Sequence, residues 1–222
     1  NKVIGRFKSV MIYAKRQNYI QTNYVEAYRY LLVEEKPPIY YSEEEALKIL
    51  IANGNEHVYP VIAFMFNTGQ RPGEILGLWW DCVDFEKKRI TIRRTKSRKL
   101  EERTKTHKVN ILPINEPTLE ILRELYLNRK DDTYVFLSES GKPYGSDHFS
   151  QRFFKPAVER AGVEYKGFHK CRATYATLYA EKGGDRAVLQ KRLNHSDRKT
   201  TEKHYAHVTG KMASEGANVV SF

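Results

Sequence analysis

The sequence predicts an α+β fold, mainly α-helical with a small antiparallel β-sheet or hairpin. Three observations carry this. Apolar residues recur at helical spacing in several capped segments, two short segments alternate apolar and polar around a basic loop, and Gly and Pro punctuate the rest. Residues 3–16 place Ile4, Phe7, Val10, Met11 and Ala14 on one helical face. Residues 18–34 are mixed and tyrosine-rich, and Pro37-Pro38 then ends any helix and predicts a linker. Ser42-Glu43-Glu44-Glu45 is a capping box that opens a helix through Ala46, Leu47, Ile49, Leu50 and Ile51, stopping near Gly54. A second apolar helix over residues 57–67 ends at Thr68-Gly69, where Gly69 suits a left-handed cap. Pro72 fits the first turn of a further helix, which sets Arg71 at a positive N-terminal end. Two positive features placed together repel unless an anion is bound, so this point of the chain implies a phosphate. Residues 89–93 and 109–112 read as the two strands of a hairpin. Helices are predicted from Asn115-Glu116-Pro117 to Asn128, over residues 146–161, and from Gly167 onward. Residues 133–137 read as a short strand. Gly183-Gly184 and Asn194-His195-Ser196-Asp197 interrupt the last helical region.

A chain of 222 residues can bury one full core, with at most a fragment of a second domain. Cys82 and Cys171 have no paired spacing, so both read as packing residues in a reducing compartment. No apolar run approaches the ~20 residues of a membrane span. The first residues, Asn1-Lys2-Val3-Ile4-Gly5-Arg6, hold neither an initiator Met nor a signal-peptide core, and the chain is expected to be a truncated piece. Net charge is +11, and its placement matters more than its size. Residues 87–108 carry eleven Lys/Arg against Glu101 and Glu102. Such a concentration in a basic protein favours a polyanion over a merely solvated face, and nucleic acid is the expected partner.

The chemistry-bearing residues gather late in the chain: His169-Lys170-Cys171-Arg172, Leu193-Asn194-His195-Ser196 and His204-Tyr205-Ala206-His207. Imidazoles, a guanidinium and one tyrosine are an inventory for handling a phosphate with an oxygen nucleophile. Together with Thr68-Gly69-Gln70-Arg71-Pro72-Gly73-Glu74-Ile75-Leu76-Gly77-Leu78-Trp79 they resemble, box for box and in order, the tyrosine recombinases of the phage-integrase family. Thr104-Lys105-Thr106, eight residues before Pro113, is similar to the hairpin that carries the family's catalytic lysine. The resemblance covers residues 38–208 and implies the family's mainly helical catalytic fold. It also implies site-specific DNA strand exchange through a covalent 3′-phosphotyrosine and a Holliday junction, with neither cofactor nor metal.

Each residue suits the role the resemblance gives it. Tyr205 would attack the scissile phosphorus. Arg71 and Arg172 would clamp the non-bridging oxygens, where bidentate guanidinium geometry outperforms lysine. Glu74, three residues after Arg71, would orient Arg71 or a histidine, a plain salt bridge being the alternative. His169 would accept the tyrosine proton, His195 would donate to the phosphate, and Lys105 would protonate the departing 5′-oxygen. Lys96, in a similar Thr-Lys-Ser context, is the alternative acid. Arg93, Arg94, Lys96, Arg98, Lys99, Arg103 and Lys108 are expected to meet the DNA backbone.

The family's pattern is not followed everywhere. Asn194 replaces the usual glycine before His195, although asparagine tolerates left-handed geometry. Lys170-Cys171 replaces the commoner acidic-leucine pair. His204 and His207 stand one helical turn apart, but no further ligands with metal spacing accompany them. Residues 1–36 are expected to be the C-terminal remnant of a DNA-gripping core-binding domain plus linker, 37–208 the catalytic domain, and 209–222 a tail. The apolar Val219, Val220 and Phe222 would dock that tail on its own domain or on a neighbouring subunit. The implied partners are duplex DNA with att-like sites, three further copies in a tetramer, and accessory DNA-bending or directionality proteins. A cytoplasmic, DNA-associated location in a bacterial or phage-infected host follows from the same resemblance. The rival functions are a type IB topoisomerase-like strand transferase and a non-catalytic DNA-binding protein on the same fold.

Overall fold

The computed structural model describes residues 1–31, 38–96, 100–101 (backbone), 109–194, 200–202, 204–206 and 208. The chain divides into two compact units, Asn1–Lys36 and Pro37–Phe222. In the first, helix α1 (Lys2–Arg16) buries none of its residues, and Val3, Phe7, Val10 and Tyr13 stay exposed. The segment after it is held back by Asn1, whose side chain exchanges two hydrogen bonds with Leu31 (2.8 and 2.9 Å), and by Lys8, which donates to the carbonyls of Glu26 and Tyr28.

The second unit is built on α3 (Tyr59–Thr68), which buries seven of its ten residues and therefore has to lie inside the domain. Around it pack α2 (Glu43–Ala52), α4 (Pro72–Leu76), α5 (Glu116–Leu127) and α8 (Lys170–Glu181). The starts of these helices follow their side chains. Ser42 Oγ accepts from Glu45 N at 3.1 Å while Glu45 returns a carboxylate oxygen to Ser42 N at 2.7 Å, and Asn115 accepts from Thr118 N at 3.2 Å. Short α9 (Arg186–Arg192) is capped by Asp185 at 2.8 Å.

A three-stranded antiparallel sheet has the order β1 (Val83–Asp84), β2 (Arg89–Ile92), β5 (Asn110–Pro113). The register sets Ile90 opposite Leu112 and Ile92 opposite Asn110. Ile90, Ile92 and Leu112 face the core, while Ile111 and Val109 remain exposed. The hairpin is the expected one, but it carries a second, smaller ribbon, β3 (Thr95–Lys96) with β4 (Leu100–Glu101).

Two expectations need correction. Residues 133–137 form no strand. The Asp131 carboxylate takes the N–H groups of Thr133 and Tyr134 at 2.7 and 2.8 Å, and two isolated bridges, Trp79 to Tyr134 and Leu137 to Pro143, stand in place of a strand. The helix over 146–161 is not uniform either. It runs as α6 (Ser146–Phe149), a π-turn at Ser150–Phe154, and α7 (Lys155–Arg160). Pro156 lacks an N–H and its ring crowds the preceding turn, and one extra residue there relieves the clash.

Gly69 closes α3 with φ +64°, as its position in the sequence predicts. A Cβ there would lie 2.6 Å from Tyr175 Cδ1. Gly69→Ala combines left-handed strain with overpacking, and chemical denaturation is expected to show a loss of about 2–4 kcal/mol. A loss below 0.5 kcal/mol would contradict this account of the turn.

Candidate active site

Arg71 occupies the N-cap of α4 and is fixed by Glu74 one turn on. The carboxylate accepts from the Arg71 backbone N–H at 3.0 Å and from its guanidinium at 2.8 Å. The Glu74 side chain is 4% exposed and that of Arg71 29%, so the acid is sealed while the guanidinium keeps an open edge. Glu74 thus pairs with Arg71 by both backbone and guanidinium, a geometry shared by an orienting role and a plain salt bridge. Helix α4 is itself gripped by β3. Added Cβ atoms would come within 2.7 Å of Thr95 Oγ1 from Gly73 and within 3.0 Å of Lys96 N from Gly77. Only glycine allows the base of the basic hairpin to sit this close to Arg71.

Arg172, on the first turn of α8, sends its guanidinium to the Gly69 carbonyl at 3.0 Å and to the Leu193 carbonyl. Burial, and after it the charge of Arg71, bring its pKa down to about 10, with Glu74 acting in the opposite sense. It stays protonated at neutral pH. The two guanidiniums therefore feel each other, and one carboxylate, Glu74, offsets them. Such a pair is electrostatically incomplete until an anion enters.

His169 sits at the N-cap of α8 with an exposed ring. Partial desolvation of the imidazole, then the Arg172 charge, and more weakly Arg71 and Lys170, hold its pKa below the usual imidazole value, against Asp147. The neutral ring is favoured, which is the form that accepts a proton. The folded pKa is depressed, so any stability linked to His169 is present above ~6.5 and is lost as pH falls through the folded value. For the reaction, the acid limb of kcat/KM in the free enzyme is expected below pH ~6.5 and should vanish in His169→Gln. A limb above pH 7 would contradict the geometry.

Tyr205 is not with the arginines. Its hydroxyl donates to the Gly184 carbonyl at 2.5 Å, beyond the C-terminal end of α8, whereas Arg172 stands in the first turn. Seven residues from Arg172 to Tyr179 already span roughly 10 Å of helix. The ring packs on Leu189 and Leu193 beneath the Arg186 guanidinium, 5.3 Å from its centroid. Burial, then Tyr179 and Asp185, raise its pKa. His204 is buried, and its Nδ1 pairs with Thr177 Oγ1 at 2.8 Å, fastening the tyrosine's segment to α8.

Lys105 and His195 lie outside the described residues, as do His207, Arg98, Lys99, Arg103, Lys108 and the tail. Asn194, just before His195, has φ +49°, the left-handed geometry that a glycine would otherwise supply. Lys96 extends over the Tyr134 ring, 5.3 Å from its centroid. Arg93 pairs with Asp81, and Arg94 does so at 3.0 Å while stacking 3.7 Å over Trp79. Among the described residues no group of three or more His, Cys, Asp or Glu could hold a metal, and no helix is long and apolar enough to cross a membrane. Gln70, Asn110 and Gly184 were not singled out in the sequence. A buried amide beside a boxed arginine was the available signal for Gln70, whereas Asn110 and Gly184 gave none beyond strand and turn.

Residues 41–212 match the model of the phage integrase family. The chain belongs to this family. An integrase of Staphylococcus phage L54a is 30% identical over 167 residues, covering 67% of this chain and 47% of the relative. A XerC-like tyrosine recombinase of Caldanaerobacter subterraneus subsp. tengcongensis is 29% identical over 209 residues, covering 82% of this chain and 53% of the relative. This integrase-family chain thus spans about half the length of the curated relatives it matches. Among solved structures, the Tn1549 transposon integrase in complex with transposon right end DNA superposes with TM-score 0.80 at 20% identity, over 97% of this chain and 77% of that one. A lambda integrase tetramer bound to a Holliday junction gives 0.70 at 20% identity, over 93% and 58%. These likenesses are of fold, and the fold is the mainly helical one with a small antiparallel sheet that the sequence predicts.

Proposed function

We propose that this chain is the catalytic part of a site-specific DNA recombinase that cuts and rejoins strands through a 3′-phosphotyrosine. The observation that carries the proposal is the Arg71–Arg172 pair, one guanidinium buried and the other with an open edge, with Glu74 as their offsetting carboxylate and a neutral His169 nearby. A phosphodiester supplies the missing negative charge, and more of it in the pentavalent transition state. In the reaction the Tyr205 oxygen bonds to phosphorus, the 5′-oxygen leaves, and the phenolic proton passes to His169. Lys105, with Lys96 as the alternative, protonates the leaving oxygen, and His195 donates to the phosphate. One ester replaces another, so the bond energy is kept for rejoining and no ATP is needed.

Residues 1–36 are read as the end of a DNA-gripping domain, 37–208 as the catalytic domain, and 209–222 as a tail docking on its own or a neighbouring subunit. The basic residues of the hairpin follow the DNA backbone. The lambda integrase on its Holliday junction is described as a tetramer, and the same assembly, with accessory DNA-bending proteins, is proposed on att-like sites. The place of action is the DNA of a bacterial or phage-infected cytoplasm.

The test is capture of the intermediate. A pool of random-sequence duplexes, each nicked near its centre so that the cleaved end diffuses away, is incubated with the chain in EDTA. A protein–DNA band resistant to detergent, with the 3′ end on Tyr205 by peptide mapping, is expected, and sequencing its DNA gives the site. An adduct on another residue, or cleavage that EDTA stops, would overturn the proposal.

A further inference from the structure

Two buried or half-buried amides that belong to none of the family boxes' catalytic positions converge on one backbone carbonyl. Gln70 is fully buried, and its Nε2 donates to Arg192 O at 3.1 Å and to Thr68 O at 3.2 Å. Asn110 Nδ2 donates to the same Arg192 O at 3.1 Å and reaches Gln70 Oε1 at 3.5 Å. The next carbonyl, Leu193 O, is the one that receives Arg172, whose other arm holds Gly69 O at 3.0 Å. Arg192 is the last residue of α9 and Leu193 its cap. The final carbonyls of a helix have no partner within it, and here side chains from three different elements supply the donors.

The elements joined are those that carry the proposed chemistry. Gln70 directly precedes Arg71. Asn110 opens β5, opposite Ile92, where the hairpin that holds Lys105 returns to the sheet. Arg192 and Leu193 lead through left-handed Asn194 to His195. Arg172 is tied to the next carbonyl along. An amide in each position suits the task, since it donates without adding charge beside two guanidiniums. A lysine or arginine at 110 would bring a third cation, and an apolar residue would leave the carbonyl with one donor fewer.

We propose that Gln70 and Asn110 are positioning residues for strand cleavage: an amide clasp on Arg192 O that ties the start of β5 and the C-terminal end of α9 to the turn that leads into Arg71. The inference rests on the recombinase reading above. Asn110 acts on the hairpin, so its loss falls chiefly on protonation of the leaving oxygen. Gln70 sits under the turn that bears Arg172's second contact, so its loss falls on the whole phosphate pocket.

The experiment compares two nicked duplexes of the captured sequence, one with the ordinary 5′-oxygen and one with a 5′-bridging sulfur, whose departure needs no acid. Single-turnover adduct formation and gel-shift affinity are measured for wild type, Asn110→Ala and Gln70→Met. Asn110→Ala is expected to slow the oxygen substrate at least 30-fold and the sulfur substrate less than threefold, with affinity within twofold of wild type. Gln70→Met is expected to slow both substrates equally, at least tenfold, at unchanged affinity. The clasp is overturned if both variants cleave oxygen within twofold of wild type. It is equally overturned if Asn110→Ala loses both substrates in step with its folded fraction, measured by circular dichroism. Lys105→Ala serves as the control for the recombinase reading. If sulfur does not rescue that control, the acid assignment fails by itself, and the clasp is then judged on the oxygen rates of the two amide variants.

Discussion

Tyr205→Phe is expected to leave no covalent DNA adduct at any time or temperature at which the wild type reacts. The substitution removes the one oxygen to which the recombinase reading assigns the attack on phosphorus. The variant should still fold. Its ring keeps Leu189, Leu193 and the Arg186 guanidinium, and loss of the hydroxyl contact with Gly184 O costs about 1 kcal/mol. Gel-shift affinity for the captured duplex should therefore match the wild type within a small factor. A detergent-resistant band from the folded variant would assign the nucleophile elsewhere, and the recombinase reading would fall with it.

Arg172→Lys is expected to cut the cleavage rate by about 100- to 1,000-fold, the range for one lost donor to a developing oxyanion. The guanidinium spans two carbonyls, Gly69 O and Leu193 O, that a single ammonium cannot bridge while also facing a phosphate. Charge is at risk as well. The burial and the neighbouring Arg71 that bring Arg172 to about 10 would act on a lysine whose pKa starts near ~10.4. Its charged form lies below the lowered pKa, so residual activity should rise as the pH is taken from 9 to 7. A flat profile in that interval, or a rate within tenfold of wild type, would show that Arg172 is a structural tie and no more. Adduct yield against pH, at saturating DNA, is the measurement.

The helix starts were legible because their causes are local. Ser42, Asn115 and the Gly69 turn announce themselves within four residues, and the hairpin 89–93 with 109–112 follows from alternation alone. Arg71, Glu74, His169, Arg172 and Tyr205 were singled out by type and order, and the fold places the first four, but not the Tyr205 hydroxyl, near one another. What the sequence concealed was set either by competing local bonds or by partners far along the chain. Asp131 takes the N–H groups that a strand at 133–137 needs, and Pro156 forces a π-turn into an otherwise regular helical pattern. Gln70 meets Asn110 and Arg192 only through the fold. Nothing in the box His204-Tyr205 indicates that the hydroxyl reaches Gly184 instead of Arg172.

That Gly184 contact bears on what the pocket will refuse. Between encounters with its target, a cationic cleft of this kind meets inorganic phosphate, nucleotides and stray DNA ends, each able to sit between Arg71 and Arg172. On the recombinase reading, a hydroxyl held at Gly184 O with its acidity weakened would leave such visitors unmodified. The hydrogen bond to Gly184 O by itself is a bias of only about two- to tenfold. A correctly bound duplex can overcome that bias with little of its binding energy, whereas a small anion that touches only the arginines has no means of drawing the tyrosine in. Chemical discrimination between a target and an adventitious phosphate thus begins with where the oxygen rests.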